Sequence, residues 1–476
     1  MKVAVPFLLG LAAPALASLQ VNISSRDSIV AAAKLKAADV MAYYHGDEPG
    51  HIPGVLPGPP PDGPYYWWNG GALMGAMIDY WHYTNDSTYN QIVKDALLFQ
   101  SGPQRDFMEP NWTASLGNDD QAFWGMSALL AAEVNFPDPE PGQPSWLALA
   151  QGVFNTQAQR LDDTCGGGLR WQVFQFNTGF QYKNTIANGC FFNIGARLAR
   201  YTHNQTYADH AILIWDWMER TGLIDKDYNV YDGIHAPECD AVNRAQYSYN
   251  AAVLLQGATF LYDFTNGSKV WRDRINKLLD QTIHVFFPNG TATEKYCEID
   301  GETCTTDMLS FKGFLHRWLA VVAQVAPFTR RRITKVLKTS AAAAVRQCTA
   351  GDSGRECGFQ WNGTFDGTTG LGQEMNVLGA LVSVLVDHDD YDVVVKPPVT
   401  NTTGGTSVGD PGAGGTDGGR PQAATFAPIT TWDTVGAGFA MTAVMSTFAC
   451  ACVWMSTDLL EGGRKRQQKG KGKARG

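Results

Sequence analysis

The run Asn118-Asp119-Asp120-Gln121-Ala122-Phe123-Trp124-Gly125 sets two adjacent carboxylates between two amides and follows them with a Phe-Trp pair. Two neighbouring carboxyls in different protonation states, beside aromatic rings on which the apolar face of a sugar can stack, are what breaking a glycosidic bond requires. The plainer reading is a helix start. Asn118 with Gln121 three residues on is also a capping box, and Asp is ordinary in a first helical turn. A metal-binding DDxxD would need a carboxylate at position 123, which is Phe, so neither metal nor cofactor is expected.

Residues i and i+1 inside a regular helix point about 100° apart, so the two Asp can face one sugar ring only at a loop-to-helix junction. There they would approach the ~5 to 5.5 Å separation of double displacement, too close for the water-mediated single displacement that inverts configuration. The charge of one would raise the pKa of the other, so that one attacks as nucleophile while its neighbour donates a proton.

The elements that must hold this junction are helices. Between residues 27 and 388, twelve segments with helical apolar spacing begin near Asp27, Gly70, Ser87, Gly117, Ser145, Ala187, Thr206, Gln246, Ser268, Asp307, Phe328 and Gly370, and no strand-like alternation competes with them. The junctions Tyr83-Thr84-Asn85, Tyr201-Thr202-His203-Asn204 and Phe264-Thr265-Asn266 resemble one another at spacings of about two units and then one unit of ~60 residues. Six helical hairpins of that length, closed into a ring, give an all-α (α/α)6 toroid. Even-to-odd connections are short and odd-to-even connections long, so the two sets lie at opposite ends. The long set carries the unusual motifs: Tyr65-Tyr66-Trp67-Trp68-Asn69-Gly70-Gly71, the Asp119-Asp120 run, Gly166-Gly167-Gly168-Leu169-Arg170-Trp171-Gln172 with Tyr182-Lys183-Asn184, Tyr231-Asp232-Gly233, and Gly358-Phe359-Gln360-Trp361. Such residues at the mouth of a toroid would form an acidic, aromatic cleft for a carbohydrate.

The ends of the chain suggest a secreted, tethered protein. Residues 1–17 read as a cleaved signal peptide, 18–392 as the catalytic toroid, 393–434 as a flexible Gly/Pro/Thr-rich linker, 435–455 as a transmembrane or GPI-type hydrophobic segment, and 456–476 as a basic tail. The cations Arg464, Lys465, Arg466, Lys469, Lys471, Lys473 and Arg475 favour the membrane span, with the tail in the cytosol and the toroid at the cell surface. Sequons at Asn22, Asn85, Asn111, Asn204, Asn266, Asn289, Asn362 and Asn401 suit that compartment. Cys297 with Cys304 and Cys348 with Cys357 are expected as local disulfides, leaving one free thiol among Cys165, Cys190 and Cys239. With 46 acidic against 37 basic residues, seven of the basic ones in the tail, the rest of the chain is acidic and repels nucleic acid, and a neutral polymer is the more natural partner.

These residues resemble glycoside hydrolase family 76, the fungal cell-wall mannan endo-1,6-α-mannosidases and their bacterial relatives. The likeness rests on Trp67-Trp68-Asn69-Gly70-Gly71, Asp119 to Gly125, Cys165 to Gln172, Tyr182-Lys183-Asn184, Tyr231-Asp232-Gly233, Gln246-Tyr247-Ser248-Tyr249-Asn250 and Phe311-Lys312-Gly313-Phe314. It implies the (α/α)6 fold, a retaining mechanism with Asp119 as nucleophile and Asp120 as acid/base, and substrates containing α-1,6-linked mannose. Substrate contacts are expected from Trp67, Trp68, Asn69, Asn118, Gln121, Trp124, Arg170, Trp171, Tyr182, Lys183, Asn184, Asp232, Tyr247, Tyr249 and Lys312. In the fungal branch the likeness implies cleavage of the mannose core of a GPI-anchored protein and its passage to a β-glucan acceptor. The competing expectation is a mannan-binding wall scaffold without chemistry.

Overall fold

The computed structural model describes residues 18–112, 115–387, 396–414, 441–442 and 445–447. It divides into two units, 1–420 and 421–476. In the second, only the short helical stretches 441–442 and 445–447 are described.

Twelve α-helices make up the described part of the first unit. Six of them, α2 (Trp67–Thr84), α4 (Asn118–Glu133), α6 (Thr185–Thr202), α8 (Ser248–Phe264), α10 (Phe311–Val325) and α12 (Leu371–Ser383), pack each against the next, and α12 returns to α2. The ring is therefore closed. Outside it lie α1 (Arg26–Met41), α3 (Asn90–Gln100), α5 (Trp146–Ala158), α7 (Gln205–Arg220), α9 (Lys269–Phe286) and α11 (Arg330–Val345). The division follows from sequence. Every residue of α12 is buried, as an inner helix touched on all sides requires, whereas α9 buries only Trp271, Ile275, Leu278, Leu279, Thr282 and Phe286, a stripe at helical spacing.

The inner helices approach closely where one of them offers glycine. A Cβ on Gly71 would stand 2.8 Å from the Trp124 ring, and one on Gly257 would stand 2.4 Å from Phe192. Between inner helices, Arg197 of α6 pairs with Glu133 of α4 at 2.7 Å and Arg317 of α10 with Asp79 of α2 at 2.5 Å, all four side chains buried and matched in charge.

The twelve expected helices are all present, each starting within a few residues of its expected place. The short turns after α2, α6 and α8 form one end of the ring, with Asn85 and His203 in the left-handed conformation that ends a helix. The long connections form the mouth. They also hold small sheets: β1 (Tyr182–Asn184), β2 (Gly233–His235) and β3 (Val242–Asn243) pair antiparallel, as do β4 (Cys348–Ala350) and β5 (Glu356–Cys357). Strands of two or three residues are too short to leave an alternating pattern.

Disulfides join Cys297 to Cys304 and Cys348 to Cys357 as expected, and Cys165 to Cys239, leaving Cys190 as a buried thiol. The flexible linker expected from residue 393 needs correction for residues 396–414. Val399 donates to the Glu133 carbonyl at 2.7 Å, Asn401 to that of Tyr201 at 3.1 Å, and Asp410 to Gln151 at 2.6 Å, so this strap lies along α4, α5 and α6. Gly, Ser and Thr leave its backbone free to make these bonds, and composition alone cannot register that. The signal peptide, the remaining linker and the basic tail lie outside the described residues, as does the hydrophobic segment 435–455 except for 441–442 and 445–447. Among described residues no helix is long and apolar enough to cross a membrane.

Candidate active site

Helix α4 begins where the chain from α3 meets the segment after the Gly166-Gly167-Gly168 turn. Gly117 bridges Gln172, and the Asn118 amide donates to the Trp171 carbonyl at 2.8 Å. This places Asp119 and Asp120 on the first helical turn, where the positive end of the helix favours an anion. The capping residue is Asp120 itself, whose Oδ2 accepts the Gly117 amide at 2.7 Å, while Asp119 Oδ1 accepts the Asp120 amide at 3.1 Å. The Asn118 and Gln121 side chains take no part in the cap.

Both carboxyls show a partly exposed edge to a cleft of about 320 Å³ lined by Trp67, Trp68, Trp112, Trp171, Gln172 and Tyr249. A second lobe of about 180 Å³ shares Asp119, Trp171, Tyr249, Asp307 and Phe311 with the first and continues along Tyr182, Asn184, Asp232 and Tyr247. The cleft thus extends to both sides of Asp119. Its floor is aromatic, with Tyr249 stacked on Phe311 at 3.7 Å and Trp68 against Phe123 at 4.7 Å.

Enclosure shapes the acid–base chemistry. Burial raises Asp120 to about 7, opposed by the Gly117 amide and assisted by the charge of Asp307. Burial, then repulsion from Asp120, holds Asp119 well above the usual carboxylate range, although backbone amides and Asn184 favour its anion. The environment of each carboxyl thus favours its neutral form, and because ionising one disfavours ionising the other, the pair gives up its two protons in separate steps. Burial also lifts Asp307 to about 6 against the hydrogen bond from Trp68 Nε1 at 3.1 Å. Asp232 is raised by burial, offset by the Tyr182 hydroxyl that donates to it at 2.5 Å.

Of the expected contact residues, Trp67, Trp68, Trp171, Tyr182, Asn184, Asp232, Tyr247 and Tyr249 converge on the cleft. Seven do not line it. Asn69 caps α2 through the Tyr66 amide, and Asn118 joins the Arg170 carbonyl to Arg160. Gln121 bonds the Asp106 carbonyl and Thr156, and Trp124 is fully buried between Trp67 and Phe107. Arg170 pairs with Asp162. Lys183 is buried, donating to Asp162 and to the carbonyls of Thr164, Gly167 and Gly168. Lys312 pairs with Glu298 beneath Phe359 and Trp361, so the two rings of the Gly358 to Trp361 motif pack inside the protein, while Gln360 is exposed. Asp307, Trp112 and Phe311 line the cleft without having been expected there. Asp307 was within reach, because it lies on a long connection and those form the mouth. Among described residues no cluster of His, Cys, Asp and Glu is arranged to hold a metal.

Residues 28–401 match the model of glycosyl hydrolase family 76. The chain is 43% identical over 447 residues to the mannan endo-1,6-alpha-mannosidase DCW1 of Saccharomyces cerevisiae, covering 92% of this chain and 95% of that one. It is 42% identical over 403 residues to a putative mannan endo-1,6-alpha-mannosidase of Schizosaccharomyces pombe, covering 83% and 88%. Among solved structures, Dfg5 from Chaetomium thermophilum in complex with glucosamine superposes with a TM-score of 0.79 at 51% identity, over 83% of this chain and 97% of that one. The α-1,6-mannanase GH76A of Salegentibacter sp. HEL1_6 shares the fold, with a TM-score of 0.60 at 18% identity over 75% and 99%. A closed ring of six hairpins, an acidic aromatic cleft at its mouth and a family match spanning nearly the whole ring agree: the chain is a glycosidase belonging to glycosyl hydrolase family 76.

Proposed function

We propose that the chain cleaves α-1,6-linked mannose from within a glycan, with retention of configuration, and can pass the cleaved mannosyl group to a sugar acceptor. The observation that carries this reading is the position of Asp119 and Asp120 around Gly117. A Cβ built there lies 2.3 Å from Asp119 Oδ1 and 3.0 Å from Asp120 Oδ2. Those oxygens are thus no farther apart than the sum of the two distances, which is short of the ~6.5 Å or more that admits a water between carboxyls.

Asp119, ionised, attacks the anomeric carbon as Asp120 gives its proton to the departing oxygen, forming a mannosyl ester on Asp119. Asp120, now ionised, takes a proton from water or an acceptor hydroxyl, which attacks the same carbon and frees Asp119. Subsites on both sides of Asp119 support cleavage inside a chain, and a sugar seated in the far lobe is placed to compete with water. That chemistry suits transfer of the mannose core of a GPI-anchored protein to wall β-glucan. Three disulfides support an oxidising, extracellular setting for the toroid, with the hydrophobic C-terminal segment tethering it to the membrane.

The test is turnover of a linear α-1,6-mannan oligomer by wild type, Asp119→Asn and Asp120→Asn, with the first product's anomeric configuration followed by NMR and the reaction repeated with a β-glucan acceptor. Wild-type-like turnover in either variant ends the assignment of roles. Initial release of the β-anomer ends the retaining mechanism, and products unchanged by β-glucan end the transfer reading.

A further inference from the structure

The connection between α9 and α10 carries a buried acid that the catalytic reading leaves unused. Glu294 has no exposed surface and lines neither lobe of the cleft. Its carboxyl reaches the start of α8, where Oε1 accepts the Ser248 amide at 2.9 Å and Oε2 bonds the Ser248 hydroxyl at 2.5 Å. Tyr247, the residue before this helix, gives no side-chain cap. An acid from another connection thus fills the place where the unpaired amides and positive end of a helix favour one.

Glu294 also ties a second element. Its amide donates to Glu298 Oε1 at 2.6 Å, and the same oxygen pairs with Lys312 Nζ at 2.6 Å, which donates in turn to the Phe359 carbonyl at 2.7 Å. All three charged side chains are buried, and the Cys297–Cys304 disulfide fastens the turn Lys295–Ile299 that follows Glu294. Burial raises Glu294 to about 8, opposed by the two bonds from Ser248 and by Lys312, and assisted by the charge of Glu298. Glutamine has the shape of that neutral acid.

The two elements held in this way meet at the cleft. Ser248 precedes Tyr249, and Lys312 follows Phe311. Tyr249 and Phe311 stack with centroids 3.7 Å apart and planes 9° from parallel, and both rings line both lobes, as Asp119 does in each. The stack is therefore fixed through the backbone neighbour of each ring, and one buried cluster bonds both neighbours.

We propose that Glu294 is a positioning residue for the substrate: by bonding Ser248 directly and Lys312 through Glu298, it sets the Tyr249–Phe311 stack where the cleft passes Asp119. A stack shared by the two lobes borders the sugars next to the bond that is cut, so a small displacement of it misplaces that bond. The proposal rests on the reading that the cleft takes an α-1,6-mannan chain.

A double-mutant cycle tests it, with kcat/KM measured on an α-1,6-mannan oligomer and the tyrosine region of the near-ultraviolet circular dichroism recorded for each protein. Glu294→Ala is expected to lower kcat/KM about ten-fold, as small shifts of substrate-holding groups do, and Glu294→Gln to recover most of that loss. Added to Tyr249→Ala, Glu294→Ala is expected to cost less than about two-fold, and the spectral change it causes in the native background should vanish, because the ring it positions is gone. Equal losses in both backgrounds overturn the proposal, since a general loosening of the fold adds to the loss of a ring. A folded Glu294→Ala protein with native kcat/KM overturns it as well. If Glu294→Ala does not fold, Ser248→Ala, which removes the hydroxyl bond and leaves the amide bond, carries the same cycle with an expected loss of about three-fold. If the native enzyme does not cleave α-1,6-mannan, the substrate reading fails and the spectral cycle alone decides the positioning role: a difference spectrum that persists without Tyr249 overturns it.

Discussion

Gly117 and Asp119 touch so closely that residue 117 has no room for a side chain: a Cβ there would lie 2.3 Å from Asp119 Oδ1. The backbone of Gly117, at φ −86 and ψ 157, suits any residue. Gly117→Ala should therefore leave the fold nearly untouched and displace the Asp119 carboxylate, the proposed nucleophile. We expect kcat to fall by about 10²-fold or more, as small misplacements of reacting groups do, with a melting temperature within a few degrees of wild type. Steady-state kinetics beside a thermal melt check this, and a wild-type kcat would show that Asp119 tolerates displacement.

Asp307 sits near enough to Asp120 to raise its pKa. With Asp120 near 7 and acting, as proposed, as the proton donor, activity should decline as pH rises through neutrality. Asp307→Asn removes the charge that helps hold the proton, so the alkaline limb of the kcat/KM profile should move to lower pH. The Trp68 Nε1–H keeps a carbonyl oxygen to bond in that variant. A limb that stays in place or moves upward would contradict the coupling.

Much of this arrangement was legible in the chain. Helical spacing located all twelve helices, and the alternation of short and long connections located the mouth, because loop length is written directly in the sequence. What escaped is side-chain direction. Asn118 and Gln121, three apart on one helix, share a face that turns toward Asp106, Thr156 and Arg160, whereas Asp119 and Asp120 turn to the cleft. Lys183 and Lys312 look like sugar-binding cations, yet each ends among carbonyls and carboxylates of its own scaffold. A motif marks a region that builds a site without saying which of its side chains face the ligand. Asp307 was missed for the converse reason, since a single Asp beside a helix start looks like a cap.

The proposed catalytic acid, Asp120, should cost stability. Asp120 holds its proton up to about 7 in the fold but only to about 3.9 in the unfolded chain. Between those values the native state binds more protons than the unfolded state, so this group's contribution to stability falls as pH rises through that window and is fully unfavourable above it. Asp120→Asn cannot ionise. The variant should melt above wild type at pH 8, by on the order of 1 kcal/mol or more, and close to it at pH 4. Melts at the two values provide the comparison, and a variant less stable at pH 8 than at pH 4, relative to wild type, would refute it.

Lys183 lies on β1 and Asp232 immediately precedes β2, the strand paired with it, and the structure gives them opposite work. The Lys183 ammonium is buried, bonding Asp162 at 2.7 Å and the carbonyls of Thr164, Gly167 and Gly168 at 2.7 to 3.0 Å, so it fixes the turn that leads to Trp171. Lys183→Met keeps the bulk but leaves those carbonyls unpaired, and should cost about 3 kcal/mol of stability. Asp232, by contrast, faces the far lobe and is held by the Tyr182 hydroxyl and Asn243. Asp232→Asn preserves shape and acceptor oxygen, so its melting temperature should stay near wild type while KM for α-1,6-mannan rises several-fold. Denaturant unfolding of both variants, paired with kinetics well below their melting temperatures, separates scaffold from subsite. A raised KM for Lys183→Met at full folding would return that lysine to the substrate.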